Sequence, residues 1–270
     1  MADSRHAPKK HFGQHFLHDA TIIERIVRAI DPRPGERLVE IGPGQGALTR
    51  PLLRRHGALT VIELDRDLIA PLQALDGTEG RVQVIHADVL AIDFTALAGN
   101  DTLRLVGNLP YNISSPILFH ALAHAAHIRD MHFMLQKEVV DRMAAEPGSK
   151  VYGRLSVMLQ AYCEVLALFD VPPAAFRPPP QVDSAVVRLR PRAPDRIAII
   201  DHDRFARLVR DAFGQRRKTL RNALSTLCDA ATIAAAGLNP GARAEQVAVP
   251  DFIALANHLA QRASIATAMP

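Results

Sequence analysis

The chain has 270 residues, of which 48% are hydrophobic, with a formal charge of +4 at pH 7 and no tryptophan. This length allows one large core, or one core with a small second domain, and the mild positive charge suits a polyanionic partner. The two cysteines belong to no ligand-spaced cluster, and no apolar stretch reaches the roughly 20 residues of a membrane span. We expect a soluble, cytoplasmic, monomeric protein that binds no metal.

Helical spacing of apolar residues over Ala20–Ile30 predicts a first helix, which ends at Asp31-Pro32. Beyond it, short continuous apolar runs alternate with helical stretches, which is typical of a parallel sheet covered on both faces. The sequence therefore predicts a doubly wound α/β domain. Its predicted strands are Arg37–Ile41, Ala58–Leu64, Val82–His86, Leu103–Val106 and His132–Leu135.

The pattern changes in the second half of the chain. Two β-rich runs, Tyr162–Val171 and Ser184–Arg190, are joined by a proline-rich segment with no helical crossover, so we expect them to pair antiparallel at a sheet edge. From Asp201 onward the sequence is helical and rich in alanine. We predict a mostly parallel sheet with an antiparallel edge in residues 1–194, followed by a small all-α domain in residues 195–270.

A glycine-rich turn follows the first predicted strand. Gly42, Gly44 and Gly46 lead from that strand into a helix, and such a turn brings a ligand close to free N–H groups at a helix N-terminus. Glu63 ends the next strand, where a carboxylate can hold both hydroxyls of a ribose. The pattern G-x-G-x-G lacks the later glycine of the dinucleotide fingerprint, which favours S-adenosylmethionine over a nicotinamide dinucleotide.

Asp88 ends the third predicted strand and can accept a hydrogen bond from an adenine amino group of the cofactor. Its neighbour Val89 and the residue after Glu63, Leu64, complete this part of the predicted cofactor site. The bland alternative is that Glu63 and Asp88 are ordinary solvated acids at strand ends.

The motif Asn108-Leu109-Pro110-Tyr111 follows the fourth strand. An exocyclic adenine amine is a poor nucleophile, because its lone pair is delocalised into the ring. Two acceptors, the Asn108 side-chain carbonyl and the Leu109 main-chain carbonyl, would favour a pyramidal nitrogen. Pro110 would stiffen the backbone, and Tyr111 offers a face for stacking. A turn with no catalytic role is the alternative.

Seven segments, in this order, resemble the bacterial 16S ribosomal RNA adenine dimethyltransferase family: KKHFGQHFLHD, VEIGPGQGALT, VIELD, HADVL, NLPYNISSP, FRPPPQVDSAVV and FGQRRKTLRN. The resemblance implies a class I, Rossmann-like methyltransferase domain with a small helical domain. It also implies two methyl transfers to each of two adjacent adenosines near the 3′ end of the RNA in the 30S subunit, with a role in subunit biogenesis.

Carried over by motif, the resemblance adds His15 and Leu17 to the cofactor contacts, beside Gly42, Glu63, Asp88 and Asn108. His15 stands where the family often has Asn. In this family the FRPPP loop borders the target base, so Phe176 becomes a second stacking candidate; a buried loop anchor is its alternative.

A basic cluster follows in the helical part of the chain. It can neutralise RNA phosphates, although a solvated helical face is also compatible with it. A second basic edge lies near the N-terminus. The RNA-binding candidates are Lys9, Lys10, Arg216, Arg217, Lys218 and Arg221.

Three other functions stay open on the sequence. The large-subunit (23S) adenine methyltransferases of the macrolide-resistance type share NLPY and the proline-rich loop, but FGQRRKTLRN favours the small-subunit enzymes. A nicotinamide oxidoreductase would share the glycine turn. A nonenzymatic assembly factor that holds back immature small subunits is the third.

Overall fold

The computed structural model describes residues 15–215 and 217–268. Helices and strands are numbered in chain order. The helices are α1 (Ala20–Ile30), α2 (Thr49–His56), α3 (Arg66–Gln73), α4 (Phe94–Ala98), α5 (Ser114–Ala123), α6 (Lys137–Met143), α7 (Arg154–Tyr162), α8 (His202–Gly214), α9 (Leu220–Ala223), α10 (Ala230–Ala235) and α11 (Val249–Ala268). The strands are β1 (Phe16–Leu17), β2 (Arg37–Ile41), β3 (Ala58–Glu63), β4 (Arg81–His86), β5 (Leu103–Asn108), β6 (Ile128–Gln136), β7 (Cys163–Val171), β8 (Phe176–Arg177) and β9 (Ser184–Pro191).

Seven strands form one sheet in the order β4-β3-β2-β5-β6-β9-β7. The neighbours from β4 to β6 are parallel, and β9 lies antiparallel to β6. The mostly parallel sheet with an antiparallel edge is thus confirmed. Because the carboxyl ends of parallel strands meet at one edge, the segments that follow β2, β3, β4 and β5 come together there.

Strand β6 is longer than the predicted run His132–Leu135, because Asp130 near its start is buried opposite Arg104 of β5. The Arg104 guanidinium lies in the interior, with Nε 3.0 Å from Asp130 Oδ1 and Nη1 2.6 Å from Glu36 Oε2. Nη2 also donates to the Ile30 carbonyl at the end of α1. This network ties the first helix to two central strands. Burial opposes ionisation of Asp130, but the neighbouring His132 and Arg104 lower its pKa.

A second, two-stranded sheet joins β1 to β8 in antiparallel register, with Leu17 opposite Phe176. His18 N also donates to the Ala175 carbonyl, 2.9 Å away. The short segment before α1 is therefore fastened to the proline-rich segment. Neither two-residue strand has a periodic sequence signal.

The chain forms two compact units. One runs to Val140 and includes Leu166–Pro191; the other comprises Asp141–Val165 and the chain from Arg192. The boundary between residues 194 and 195 stays a prediction about domains, but Asp141–Val165 lies with the helical unit. The reason is packing: α7 buries Val157 in the same apolar cluster as the residues of α8 and α11. Among the described residues, no helix combines the length and apolar character of a membrane span.

Candidate active site

A cavity of about 260 Å³ lies at the carboxyl ends of β2, β3, β4 and β5. The structure brings to its wall all the predicted cofactor contacts and the whole Asn-Leu-Pro-Tyr motif, which begins at the last residue of β5. These residues are His15, Leu17, Gly42, Gly44, Glu63, Leu64, Asp88, Val89, Asn108, Leu109, Pro110 and Tyr111. Residues that are dispersed over almost a hundred positions of sequence therefore share one site.

The glycine turn can adopt its path only without side chains. Gly42 and Gly44 have φ values of 65° and 58°, in the left-handed region. A Cβ on Gly44 would also lie 3.2 Å from the ring of Phe16, closer than a comfortable contact. The turn is thus packed against β1 on one side and open to the cavity on the other.

Glu63 is oriented by the main chain. Its Oε1 accepts from Asp65 N at 2.8 Å, and its Oε2 accepts from Gly44 N at 3.2 Å. Burial raises the pKa of Glu63, and these N–H groups act against that shift. The carboxylate is therefore fixed beside the glycine turn, where it can accept hydrogen bonds from a bound ligand.

Asp88 lies on the cavity wall just after β4, the strand that pairs with the one ending at Glu63. Its Oδ1 accepts from Leu90 N at 2.9 Å and so caps the short 3₁₀ turn Val89–Ala91. This bond fixes the carboxylate relative to Val89, which is buried, whereas Leu64 and Leu90 expose apolar surface nearby. An acidic group flanked by apolar side chains suits an aromatic ligand that carries an amino group.

Glu40 is a cavity residue to which the sequence assigned no role. It is only 2% exposed, and Thr49 Oγ1 donates to its Oε2 at 2.7 Å. Burial raises the pKa of Glu40 to about 8; the Thr49 bond lowers it and the nearby Glu63 raises it further. A charged residue inside the apolar run of β2 was the signal that could have identified it.

Asn108 ends β5, and its side-chain amide has a defined orientation. Nδ2 donates to the main-chain oxygen of His15 at 3.1 Å. Because a carbonyl can only accept, the NH₂ end of the amide faces His15, and Oδ1 is left as the acceptor end of the side chain. Leu109 follows with its side chain buried and its N–H bonded to the Met134 carbonyl.

Tyr111 is held from two directions. Its hydroxyl lies 2.6 Å from Ser184 Oγ at the start of β9, and its ring stacks on the His15 imidazole with centroids 5.8 Å apart and an interplanar angle of 25°. Burial raises the pKa of Tyr111, partly offset by the Ser184 bond. The phenol is therefore neutral at physiological pH and serves as a positioned aromatic surface.

Phe176 is not brought to the cavity. Its side chain is 1% exposed and belongs to the apolar cluster that includes Leu17, Val171 and Ala175. Pairing of β8 with β1 turns the ring inward, so the structure corrects the expectation of a second stacking face: here Phe176 anchors the proline-rich segment.

The RNA-binding candidates fall into two groups. Lys9, Lys10 and Arg216 lie outside the described residues. Arg217 and Lys218 are exposed after α8, and Arg221 is exposed in α9. A second cavity, of about 480 Å³ and within the helical unit, is lined by Lys218 together with Arg142, Lys150, Arg154 and Glu245. The sequence did not single out the cationic residues of α6 and of the segment leading into α7.

Comparison with known families shows to which family the chain belongs. The family model "Ribosomal RNA adenine dimethylase" matches residues 5–261. The chain belongs to this family. The resemblance carried by the seven motifs is thus confirmed, and the protein is an adenine dimethylase of ribosomal RNA.

Similar proteins agree with this assignment. Ribosomal RNA small subunit methyltransferase A of Xanthomonas campestris pv. campestris (strain B100) is 71% identical over 258 residues, which are 95% of this chain and 98% of that protein. The crystal structure of a dimethyladenosine transferase from Plasmodium falciparum has a TM-score of 0.78 at 24% identity, covering 92% of this chain and 98% of that one. The 23S rRNA methyltransferase ErmE has a TM-score of 0.72 at 28% identity, covering 91% and 100%. These likenesses confirm the class I, Rossmann-like methyltransferase fold.

Proposed function

We propose that this dimethylase transfers methyl groups from S-adenosylmethionine to N6 of two adjacent adenosines near the 3′ end of 16S ribosomal RNA, and that its substrate is the RNA within the 30S subunit. The observation that carries the proposal is the fixed amide of Asn108, which shares one cavity with the glycine turn and Glu63. The 71% identity to a protein named for the small subunit favours this RNA over the 23S alternative, whose structural neighbour is 28% identical.

The cavity residues suit S-adenosylmethionine. Glu63, fixed by two main-chain N–H groups, would accept from the ribose hydroxyls, and Asp88 would accept from the adenine amino group. Gly42 and Gly44 have positive φ values and no side chains, so they let a ligand approach the main chain. When bound, this cofactor supplies an electrophilic methyl group on a sulfonium centre.

The protein's own contribution to the chemistry is alignment. Asn108 Oδ1 and the Leu109 carbonyl would accept from the two N–H groups of the target amine, which favours a pyramidal nitrogen with its lone pair directed at the methyl carbon. Tyr111 would stack on the base. The acceptors are worth most when the amine becomes positively charged, so their effect falls on the transition state. The proton can leave after transfer, and no general base is required.

RNA binding would use the helical unit. Lys218 combines with Lys150 and Arg154 around one cavity, with Glu245 as an acidic neighbour, and Arg217 is exposed beside Lys218 in sequence. Cations gathered in this way displace counterions from phosphates, so affinity should fall steeply with salt concentration. The target base must also be unstacked, at a cost of a few kcal/mol that stacking and backbone contacts offset.

A methylation assay tests the proposal. We expect the purified protein to transfer methyl groups to 30S subunits that lack the modification, and not to 50S subunits. Dimethylated adenines cannot pair normally, so reverse transcriptase should stall at the modified pair. Read-through on treated 30S subunits, or methylation of 50S subunits instead, would refute the assignment.

Asn108→Ala separates catalysis from binding, with Asn100→Ala, an exposed asparagine of the same unit, as matched control. We expect the first variant to lose methyl transfer while it still binds cofactor and subunits; the control should retain all three. Retention of subunit binding would separate binding from methyl transfer, as an assembly role beside catalysis requires. The monomeric state and the cytoplasmic location stay predictions.

A further inference from the structure

The segment just before α1 reaches the catalytic motif directly. His15 precedes β1, which pairs with β8, and Leu17 is buried in the core of the same unit. The main chain at His15 is therefore anchored next to the proline-rich segment. From this position His15 contacts three elements of the site.

The first contact is a hydrogen bond across 163 positions of sequence. His15 Nδ1 lies 2.8 Å from the main-chain oxygen of Pro178. Because that oxygen can only accept, Nδ1 must carry the hydrogen, and the ring orientation is fixed. The imidazole is thus tied to the loop that follows β8.

The other two contacts involve the groups proposed to act on the target adenine. The imidazole stacks on Tyr111, and the main-chain oxygen of His15 accepts from Asn108 Nδ2. One residue therefore touches both the proposed amine acceptor and the proposed stacking surface. Asparagine, which the family often has here, could replace the hydrogen bond to Pro178 but offers no ring to Tyr111.

We propose that His15 is a positioning residue: its main-chain oxygen orients the Asn108 amide, and its imidazole holds the Tyr111 ring, in the arrangement that methyl transfer requires. This proposal rests on the proposed function, which assigns roles to those two residues. It goes beyond a cofactor contact, because its effect falls on the rate of transfer. The ring acts through the stack and the Pro178 bond, and the bond keeps the carbonyl of His15 in place against Asn108.

Three substitutions separate these contacts. His15→Ala removes both side-chain contacts, His15→Phe keeps the stack without the hydrogen bond, and His15→Asn keeps hydrogen-bonding capacity without the ring. His18→Ala is the matched control, because His18 is an exposed histidine three positions along the same segment. For each variant, kcat and the KM for S-adenosylmethionine are measured with unmethylated 30S subunits as substrate. The Kd for S-adenosylmethionine is measured on the protein alone.

We expect His15→Ala to lower kcat about tenfold or more, because losses of alignment of this kind appear in the chemical step. The Kd should change less than about threefold, and the Phe and Asn variants should each recover part of the rate. In a Tyr111→Leu background, the loss caused by His15→Ala should shrink, since the two residues act through one contact. Three results would overturn the proposal. The first is an unchanged kcat with a raised Kd or KM; the second is additive losses in the Tyr111→Leu background; the third is an equal loss in His18→Ala.

A spectroscopic readout is independent of activity. In protein labelled with ¹⁵N and ¹³C, the imidazole resonance that disappears in His15→Asn should report a ring protonated at Nδ1. The ¹H and ¹³C resonances of the Tyr111 ring should shift in His15→Ala but not in His18→Ala. A ring protonated only at Nε2, or an unmoved Tyr111, would refute the positioning role even if the enzyme is active. Conversely, the expected spectra without methylation of 30S subunits would reject the proposed function and leave the contacts established.

Discussion

Gly107 sets the distance between the two halves of the site. It lies in β5 directly before Asn108, and a Cβ built on it would lie 2.4 Å from the main-chain oxygen of Ile41, the last residue of β2. Contacts below 3.0 Å essentially do not occur, so in Gly107→Ala the two strand ends must separate by about 0.6 Å. Because the close atom belongs to the main chain, no side-chain rotation can relieve the clash.

The separation moves the Asn108 corner relative to the glycine turn that follows Ile41. Overpacking of this kind costs about 1–3 kcal/mol of stability, and a misplacement near 1 Å can cost about a hundredfold in rate. We therefore expect Gly107→Ala to lower kcat by about 10- to 100-fold, with a smaller loss of cofactor affinity. The assay is single-turnover methylation of 30S subunits, with Kd from calorimetry and Tm from thermal unfolding.

Gly153→Ala, in the helical unit, provides the control for cofactor affinity. Gly153 has an extended backbone, and the nearest atom to an added Cβ is 4.0 Å away. That variant should keep the wild-type Kd for S-adenosylmethionine. A Gly107→Ala protein that folds and methylates at the wild-type rate would show that the approach of the two strands does not set the catalytic geometry.

Three further predictions concern buried charges. Glu40 has a folded-state pKa of about 8, above its ordinary 4.5, so the wild type loses stability as the pH rises between these values; the Tm advantage of Glu40→Gln should grow between pH 5 and pH 9, and a constant difference would contradict this. Glu63→Gln should weaken S-adenosylmethionine binding about tenfold, since a charged acceptor is lost. Because the pKa of Glu63 is raised, the affinity of the wild type for S-adenosylmethionine should fall with decreasing pH before an ordinary glutamate would protonate. Calorimetry of Glu63→Gln should show no such fall. Arg104→Met leaves Asp130 buried without its partner and should cost about 3–5 kcal/mol; denaturant unfolding should show a smaller loss when Asp130→Asn is added.

The strand-end residues of the site could be predicted from sequence because each lies close to a local signal. Gly42, Glu63, Asp88 and Asn108 each follow or end a continuous apolar run, and parallel pairing of those runs is sufficient to bring them to one edge. No side-chain geometry is needed for that step. Binary patterning therefore predicts which residues meet, even where a predicted strand is a residue or two too short.

Three features could not be predicted from the sequence: the full length of β6, the role of Glu40 and the burial of Phe176. Arg129 and Asp130 interrupt the apolar run over β6, so the sequence pattern does not predict the first half of this strand. The Asp130 carboxylate can be buried there because Arg104, on the neighbouring strand, donates a hydrogen bond to it. Glu40 was not assigned a role because a single acid in an apolar strand gives no sign of its partner. The structure shows that Thr49 donates a hydrogen bond to it. The burial of the Phe176 ring could not be predicted, because a proline-rich loop has no periodicity that tells which side chains point inward. The two-residue pairing of β8 with β1 fixes the main chain at this position.

Orientation within the site depends on contacts that no local pattern reports. The amide of Asn108 is set by a residue 93 positions away, and the ring of His15 by one 163 positions away. A motif such as Asn-Leu-Pro-Tyr therefore specifies chemical groups without specifying which way they point. In this chain the missing information lies in the segment before α1, so a substitution at His15 can impair methyl transfer while every residue of the motif and of the glycine turn is left intact.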